Sequence, residues 1–413
     1  MLYKERLITT HETLLQKRRP KMKQYNRKEF LGLATAGLAL AGCGKKEGLE
    51  YKTQESSASN IKFLALEGSP YNRGLIHGKE LKKEISAVIK LWKLDIKENY
   101  KVDPEIFISE FIKKTNFLPA MKKYTPDLLE EIKGIADGSG IDYNTIFTFS
   151  LMDEVWLNAK NIFGENCTSL GIQKNDKMPS FIAQNMDLEG FRNGFQTVLH
   201  IKHENSNLES FVFTCAGLIT TNGINNKAVG VCVNALEELN HSIEGLPVAF
   251  VIRGILERTS QEDVIKFLHE IEHASGQNYI IGGPEKNYDF ECSTNKIVPF
   301  IPYQAAEVVY HTNHPLVNDD ILRKINYPSS YERFKALEKR LSSISDIDRL
   351  DLIKSILSSH DSEEYPICRP FKDNSSTFTF GSTIMVLSER PEFHVAPGPP
   401  DVTPYNVYKF SER

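Results

Sequence analysis

The period of the hydropathy pattern changes near residue 167, and that change constrains the fold more than any other feature of the chain. Upstream, residues 61–160 read mainly as helix after one short strand, IKFLALEG. Asp103-Pro104 and Thr125-Pro126 each set a capping residue before a proline suited to a first helical turn, Asp142 can cap a further helix, and Asp137-Gly138-Ser139-Gly140 ends one. Downstream the pattern alternates with period two. TSLGIQ, SFIAQNMD, FQTVLHIKHE, ESFVFTCAG and KAVGVCVNAL read as strands, broken by polar turns such as Lys174-Asn175-Asp176 and Asn205-Ser206-Asn207. LPVAFVIRGILERT and SQEDVIKFLHEIEH then read as helices, and a second strand set runs from Asn278 to about residue 313. SSYERFKALEKRL, with a capping box from Ser329 to Glu332, opens a helical pair reaching about residue 360, and the tail returns to strands. Strand blocks alternate with helix pairs, not single helices. That pattern predicts an α+β fold of antiparallel sheets layered with helices. No GxGxxG or GxxxxGK[ST] run supplies a nucleotide cradle.

The net charge of −4 is unevenly spread. Residues 1–42 hold 9 basic and 3 acidic residues, so the remainder carries 41 basic and 51 acidic ones, a net of −10. An acidic body without a basic stripe argues against nucleic acid as a partner. The six cysteines, at 43, 167, 215, 232, 292 and 368, fit neither a CxxC metal site nor a dense disulfide framework. Cys215 and Cys232 sit in apolar strand-like runs and read as core residues.

Residues 22–43 read as an address. Lys23, Arg27 and Lys28 precede a 13-residue apolar run, 30–42, too short to span a bilayer and of the length of a signal-peptide core. It ends in Leu40-Ala41-Gly42-Cys43, which resembles a bacterial lipobox and makes Cys43 the expected site of lipidation. NRKEFL resembles a twin-arginine signal with Lys28 in place of the second arginine, and Met22 is an alternative start. The expected organisation is a signal peptide over 1–42, a lipid-anchored polar tether over 43–60, a mainly helical chain over 61–166 and a catalytic chain over 167–413. The expected location is the exported side of a bacterial membrane.

Cys167 lies where a helical segment meets the first strand of the long sheet-forming stretch, in Gly164-Glu165-Asn166-Cys167-Thr168-Ser169. Cleavage of the Asn166–Cys167 bond through an N-to-S acyl shift would free an α-amine on the residue that carries the thiol. An α-amine has a reference pKa of ~7.7–8 and can act as base for its own thiol near neutral pH. By itself, a cysteine in this setting reads more readily as a strand-edge core residue.

Several motifs, taken in order, resemble the isopenicillin N acyltransferase family, also called acyl-coenzyme A:6-aminopenicillanate acyltransferases. GSPYNRGLIHG, with His77, resembles the family's early Gly-rich segment, and NCTSLGI resembles its self-cleavage site. AQNMDLEG resembles Ala-Gln-Asn-Trp-Asp, GINNKAVGVCVNAL its hairpin ending in Asn-Ala-Leu, and ASGQNYII the segment carrying an oxyanion-hole asparagine. YHTNHP, TFTFGSTIMVL and VAPGPP complete the series over residues 62–405. The resemblance implies a four-layer αββα N-terminal nucleophile hydrolase sandwich with an added N-terminal helical segment. It also implies self-cleavage between Asn166 and Cys167 into two fragments that stay associated. Cys167 then becomes the nucleophile, Asp187 lies beside it, Asn278 helps hold the oxyanion, and Asn234, Met186, Ser382 and His77 are pocket or supporting residues. His77 could equally fix local structure, Asp187 and Asn278 could serve turns, and Asn234 could satisfy backbone groups. Met186 stands where the family usually has Trp, and Asn166 where Gly often precedes the nucleophile.

The expected activity is hydrolysis or acyl transfer at linear, non-peptide amide bonds of small molecules through a thioester. A non-catalytic, ligand-binding surface lipoprotein on the same fold is the alternative. No cofactor and no metal are expected: three residues apart on a strand, His311 and His314 face opposite sides, and no HExxH or adjacent carboxylate accompanies them.

Overall fold

Period-two patterning becomes two sheets in the computed structural model, which describes residues 61–159, 167–204, 206–302, 307–342 and 349–411. The signal-like segment, Cys43, the tether and Asn166 lie outside the described residues.

The chain opens with β1 (Lys62–Leu66), followed by α1 (Pro70–Glu80), α2 (Lys82–Asp95) and, after a π-helical turn, α3 (Pro104–Lys114). Next come α4 (Leu118–Tyr124), α5 (Asp127–Ser139), α6 (Tyr143–Phe149) and α7 (Met152–Ala159). The caps explain most of these boundaries. Asp103 accepts hydrogen bonds from the Glu105 and Ile106 N–H groups, and Asp142 accepts one from Thr145. Gly140 ends α5 in the left-handed region, at φ 75°. Thr125 departs from expectation. It closes α4 instead of opening α5, and its hydroxyl makes no hydrogen bond.

The Gly-rich motif has a packing cause. Gly74 and Gly78 on α1 press against α5, where a Cβ on Gly74 would lie 1.9 Å from the Glu131 carbonyl oxygen and one on Gly78 2.4 Å from that of Ile135. The backbones meet because neither position carries a side chain.

After residue 167 the strands are β2 (Thr168–Ile172), β3 (Ser180–Glu189), β4 (Gln196–Lys202), β5 (Glu209–Cys215), β6 (Asn222–Asn225) and β7 (Gly230–Ala235). Helices α8 (Val248–Leu256) and α9 (Gln261–Glu270) precede β8 (Gln277–Gly282), β9 (Asn287–Cys292), β10 (Ile297–Pro299) and β11 (Val308–His311). The chain continues through α10 (Pro328–Leu341) and α11 (Arg349–Leu357) to β12 (Thr377–Leu387), β13 (Glu392–Ala396) and β14 (Asn406–Lys409). Ser329 and Glu332 do not form a capping box. The cap position of α10 is Tyr327, and the Ser329 hydroxyl instead accepts hydrogen bonds from Arg333 and Arg369.

Eight strands form one sheet in the order β1-β4-β5-β6-β7-β8-β9-β10, and six form another in the order β11-β2-β3-β12-β13-β14. Every described pairing is antiparallel except β1 with β4. β2 and β3 pack on β7 and β8, α8 and α9 cover the outer face of the eight-stranded sheet, and α10 and α11 cover that of the six-stranded one. The result is the expected α+β layering: helices, sheet, sheet, helices.

The helices before residue 160 are built into this sandwich. β1 is an edge strand of the large sheet, and a fully buried ion cluster ties α1 and α5 to α8. In it, Glu131 takes two hydrogen bonds from Arg253, at 2.6 and 2.9 Å, and one from Arg73 at 3.3 Å. Burial would raise the Glu131 carboxyl, but Arg253 and Arg73 outweigh it and hold the group at about 2.

Candidate active site

β2 lies between β11 and β3, and its alternation decides which side chains face the other sheet. Ser169 and Gln184 point inward: the Ser169 hydroxyl donates to Asn234 Oδ1 on β7, and the Gln184 amide to the Val233 carbonyl. Cys167, two residues before Ser169, shares that face. Its sulfur rests 3.6 Å from Met186 Sδ, and the residue is 1% exposed.

The Cys167 backbone is held from both sides. Its N–H donates to Asn313 Oδ1 at 2.9 Å, and its carbonyl accepts from Arg333 Nη1 at 2.5 Å. Arg333, fully buried on α10, also reaches Thr168 Oγ1 at 2.8 Å and Asn313 Oδ1 at 2.9 Å. Burial and the neighbouring Arg369 pull its guanidinium down to about 10, so it stays charged at neutral pH. Asn313 in turn donates its side-chain amide to the Ala235 carbonyl at 3.1 Å and its backbone N–H to Ser330 Oγ at 2.7 Å. It thus bolts the two sheets together at Cys167. Asn313 and Arg333 are the residues that sequence reasoning missed. Asn313 lay inside the YHTNHP motif without being singled out, and nothing about a lone arginine within an amphipathic helix marks it.

Asp187 is placed differently from expectation. One residue past Met186, it faces the helix side of its sheet, where Thr379 Oγ1 donates to it at 2.8 Å. Arg369 Nε lies 3.2 Å from its second oxygen, an ion pair off the line of a hydrogen bond. Burial lifts the carboxyl to about 6, against the pull of Arg369 and Arg333. Its carboxylate charge acts on Arg333, the residue that holds the Cys167 carbonyl. Ser382 shares that outward side: it pairs with Asn185, whose amide reaches the Leu357 and Ile367 carbonyls, and its hydroxyl meets Tyr405 at 2.7 Å. It does not face the inter-sheet space, so it is not a pocket residue there.

Asn234, Asn278 and Glu291 form one row across β7, β8 and β9. Asn234 is tied to Ser169 and donates weakly to the His311 carbonyl at 3.4 Å. Asn278, on the next strand, is fully buried beside the Asp289 carboxyl, which burial raises and Asn278 draws down. Glu291 supplies the carboxylate that sequence reasoning found lacking near His311: the two meet at 2.9 Å, and the other ring nitrogen lies 2.9 Å from the Thr312 carbonyl. Both nitrogens therefore donate, and Glu291 holds His311 above its ordinary range against the effect of burial. His314 instead bonds Ser330 Oγ at 2.7 Å, so the two histidines do not converge. His77 is fixed by the Gly217 N–H, which donates to its ring at 3.1 Å, and burial holds it neutral at about 4. It anchors α1 to the loop after β5.

Met186 also lines a cavity of about 20 Å³ with Asp153, Thr220, Thr221, Val233 and Val248. That is room for about one water.

The family model described as acyl-coenzyme A:6-aminopenicillanic acid acyl-transferase matches residues 173–396, starting just after Cys167. Among curated proteins, the chain is 27% identical over 334 residues to protein dcd1A of Dictyostelium discoideum, covering 69% of this chain and 71% of that one. It is 24% identical over 230 residues to protein dcd1B of the same organism, covering 50% of this chain and 44% of that one. Among solved structures, a cysteine-to-alanine mutant of conjugated bile acid hydrolase from Clostridium perfringens shares 14% identity at a TM-score of 0.37, over 59% of this chain and 97% of that one. Penicillin V acylase from Agrobacterium tumefaciens shares 16% identity at a TM-score of 0.37, over 59% of this chain and 86% of that one.

Proposed function

The chain belongs to the acyl-coenzyme A:6-aminopenicillanic acid acyl-transferase family, and from that membership we propose that it is a self-processing cysteine amidohydrolase or acyltransferase whose nucleophile is Cys167. The observation that carries this reading is the double clamp on the Cys167 backbone by Asn313 and Arg333, which leaves the sulfur facing Met186 at the cavity edge.

In processing, the Cys167 thiol gives up its proton and its sulfur adds to the carbonyl carbon of residue 166. The amide nitrogen leaves as the new α-amine and takes the proton, and water then hydrolyses the thioester. The freed amine inherits the Asn313 Oδ1 contact now made by the Cys167 N–H. The nearby Arg333 charge favours its neutral form, which can accept the thiol proton. In turnover the sulfur attacks a substrate amide, the departing amine takes the proton back, and water or a second amine resolves the thioester. Asn234, held by Ser169 on the strand that follows Cys167, is a better candidate oxyanion donor than Asn278. Such a donor is worth roughly 3–4 kcal/mol in the transition state.

The fragment before Cys167 stays bound, because it supplies β1 and two of the three charges of the Glu131 cluster. Lipidation at Cys43 and export rest on the sequence of residues 22–43 and point to small linear amides, such as N-acyl amino acids, over coenzyme A thioesters as substrates.

The test compares purified wild type with Cys167→Ala. Wild type should run as two fragments on a denaturing gel, with Cys167 at the new N-terminus, and should hydrolyse N-acyl amino acids. The variant should stay whole and inactive. One uncut band and no turnover in both would replace the enzyme by a ligand-binding protein. Intact mass and detergent partitioning report the anchor: a soluble product that retains residues 22–42 refutes it.

A further inference from the structure

We propose a second site, separate from Cys167: a zinc-type metal site made by His360, Cys368 and Asp401. Their ligand atoms all lie within 4.8 Å of one another. His360 Nε2 is 2.9 Å from Asp401 Oδ2, and Cys368 Sγ is 3.2 Å from Asp401 Oδ1. Zinc bonds of ~2.0–2.3 Å to nitrogen, oxygen and sulfur put tetrahedral ligands roughly 3.3–3.8 Å apart, so the three atoms need only small shifts to close on one ion.

The arrangement is not a second nucleophile site. In a cysteine–histidine–carboxylate relay the imidazole stands between thiol and carboxylate so that it can take the thiol proton. Here Asp401 stands in the middle, bonded to both, and no base lies on the thiol's path. A central carboxylate flanked by one sulfur and one imidazole is a ligand set. With the thiol ionised, the two anionic ligands cancel the charge of a divalent ion, and neutral His360 adds the third bond. Binding releases one proton from Cys368: the S–H bond breaks and the S–metal bond forms. His360 is half-exposed and Asp401 about a quarter exposed, so water completes the fourth position. The mixed sulfur, nitrogen and oxygen donors suit zinc or cobalt over magnesium or calcium.

The three ligands come from separate segments: the stretch after α11, the stretch before β12, and the turn between β13 and β14. Cys368 is already fixed by its N–H to the Ser359 carbonyl at 3.0 Å, and Asp401 sits within the turn closed by Val402 and Thr403 N–H bonds to Pro399. The residue after Cys368 is Arg369, which reaches Asp187 and Ser329. A metal here would staple the C-terminal strands to the helix layer and steady the strand entry that delivers Arg369. Sequence reasoning that looked for close-spaced ligand motifs expected no metal, because 41 residues span the set.

The experiment adds Co²⁺ to the chelator-treated full chain and follows the thiolate-to-cobalt charge-transfer absorption. One Co²⁺ per chain should bind, displaced by one Zn²⁺, and Zn²⁺ should raise Tm. Cys368→Ser should lose the band. His360→Ala, at a half-exposed position that folding tolerates, should bind at least ~10–100-fold more weakly, the loss seen even for outer partners of a ligand. Cys167→Ala should keep the band, which separates this site from the nucleophile. No band in wild type, a band that survives Cys368→Ser, unchanged affinity in His360→Ala, or loss in Cys167→Ala would each overturn the site.

Discussion

Replacing Glu131 by Gln tests the join between the two halves of the chain. The carboxylate is fully buried, with Arg253 bonded to both oxygens and Arg73 to one. Gln keeps the shape and removes the charge, leaving two buried guanidinium groups uncompensated. Removing one member of a buried pair costs about 3–5 kcal/mol. Linkage gives a similar figure. The carboxyl moves from 4.5 to about 2 on folding, which is about 3 kcal/mol. Because the folded value is the lower one, this stability is present above pH ~4.5 and is lost as pH falls toward 2. Urea unfolding of wild type and Glu131→Gln should therefore differ by about 3 kcal/mol at pH 7, and the gap should narrow between pH 5 and 3. The exposed Lys133–Asp137 pair, at 2.7 Å and about half-exposed on both sides, provides the control, because solvent screening leaves such a pair little weight in stability. A Glu131→Gln cost no larger than the control, or one independent of pH, would refute the reasoning. In processed protein the same change should loosen the N-terminal fragment, read by gel filtration.

Arg333→Met should lower kcat and the rate of self-cleavage roughly 100-fold by releasing the Cys167 carbonyl and Asn313, and Arg333→Lys should not restore them, because three donors on one nitrogen cannot reach the four acceptors that the guanidinium spans. Steady-state and gel kinetics measure both. Asp187, lifted to about 6, should give kcat/KM an acid limb near pH 6 that Asp187→Asn abolishes. Its folded state favours the neutral acid, a contribution present below pH ~4 and lost as pH rises through about 6, so Asp187→Asn should gain thermal stability at pH 7 while losing activity. Gly78→Ala should cost at least ~1–3 kcal/mol, because its Cβ meets the Ile135 carbonyl of the facing helix and backbone cannot step aside. Thermal unfolding reads this cost.

Local pattern determined a good deal of this protein. Alternation in TSLGIQ and SFIAQNMD is enough to draw β2 and β3, because a strand with two faces must sort its residues two by two. Asp103 and Asp142 are legible as caps because the cap bond spans only two or three residues. Cys167 was legible from its place at the change of period and from the motif around it. Thr125 and Ser329 show the limit: both look like caps by spacing, but neighbouring segments claimed the helix start or the hydroxyl. What joins Cys167 to Asn313 and Arg333 crosses 146 and 166 positions, and what joins His360, Cys368 and Asp401 crosses 41. The face on which Asp187 and Ser382 emerge depended on which sheet side received the helices. Sequence alone sets the period of each element and the chemistry each side chain can offer. Which distant elements meet is settled by burying their apolar faces together, and only that packing decided whose donors surround Cys167.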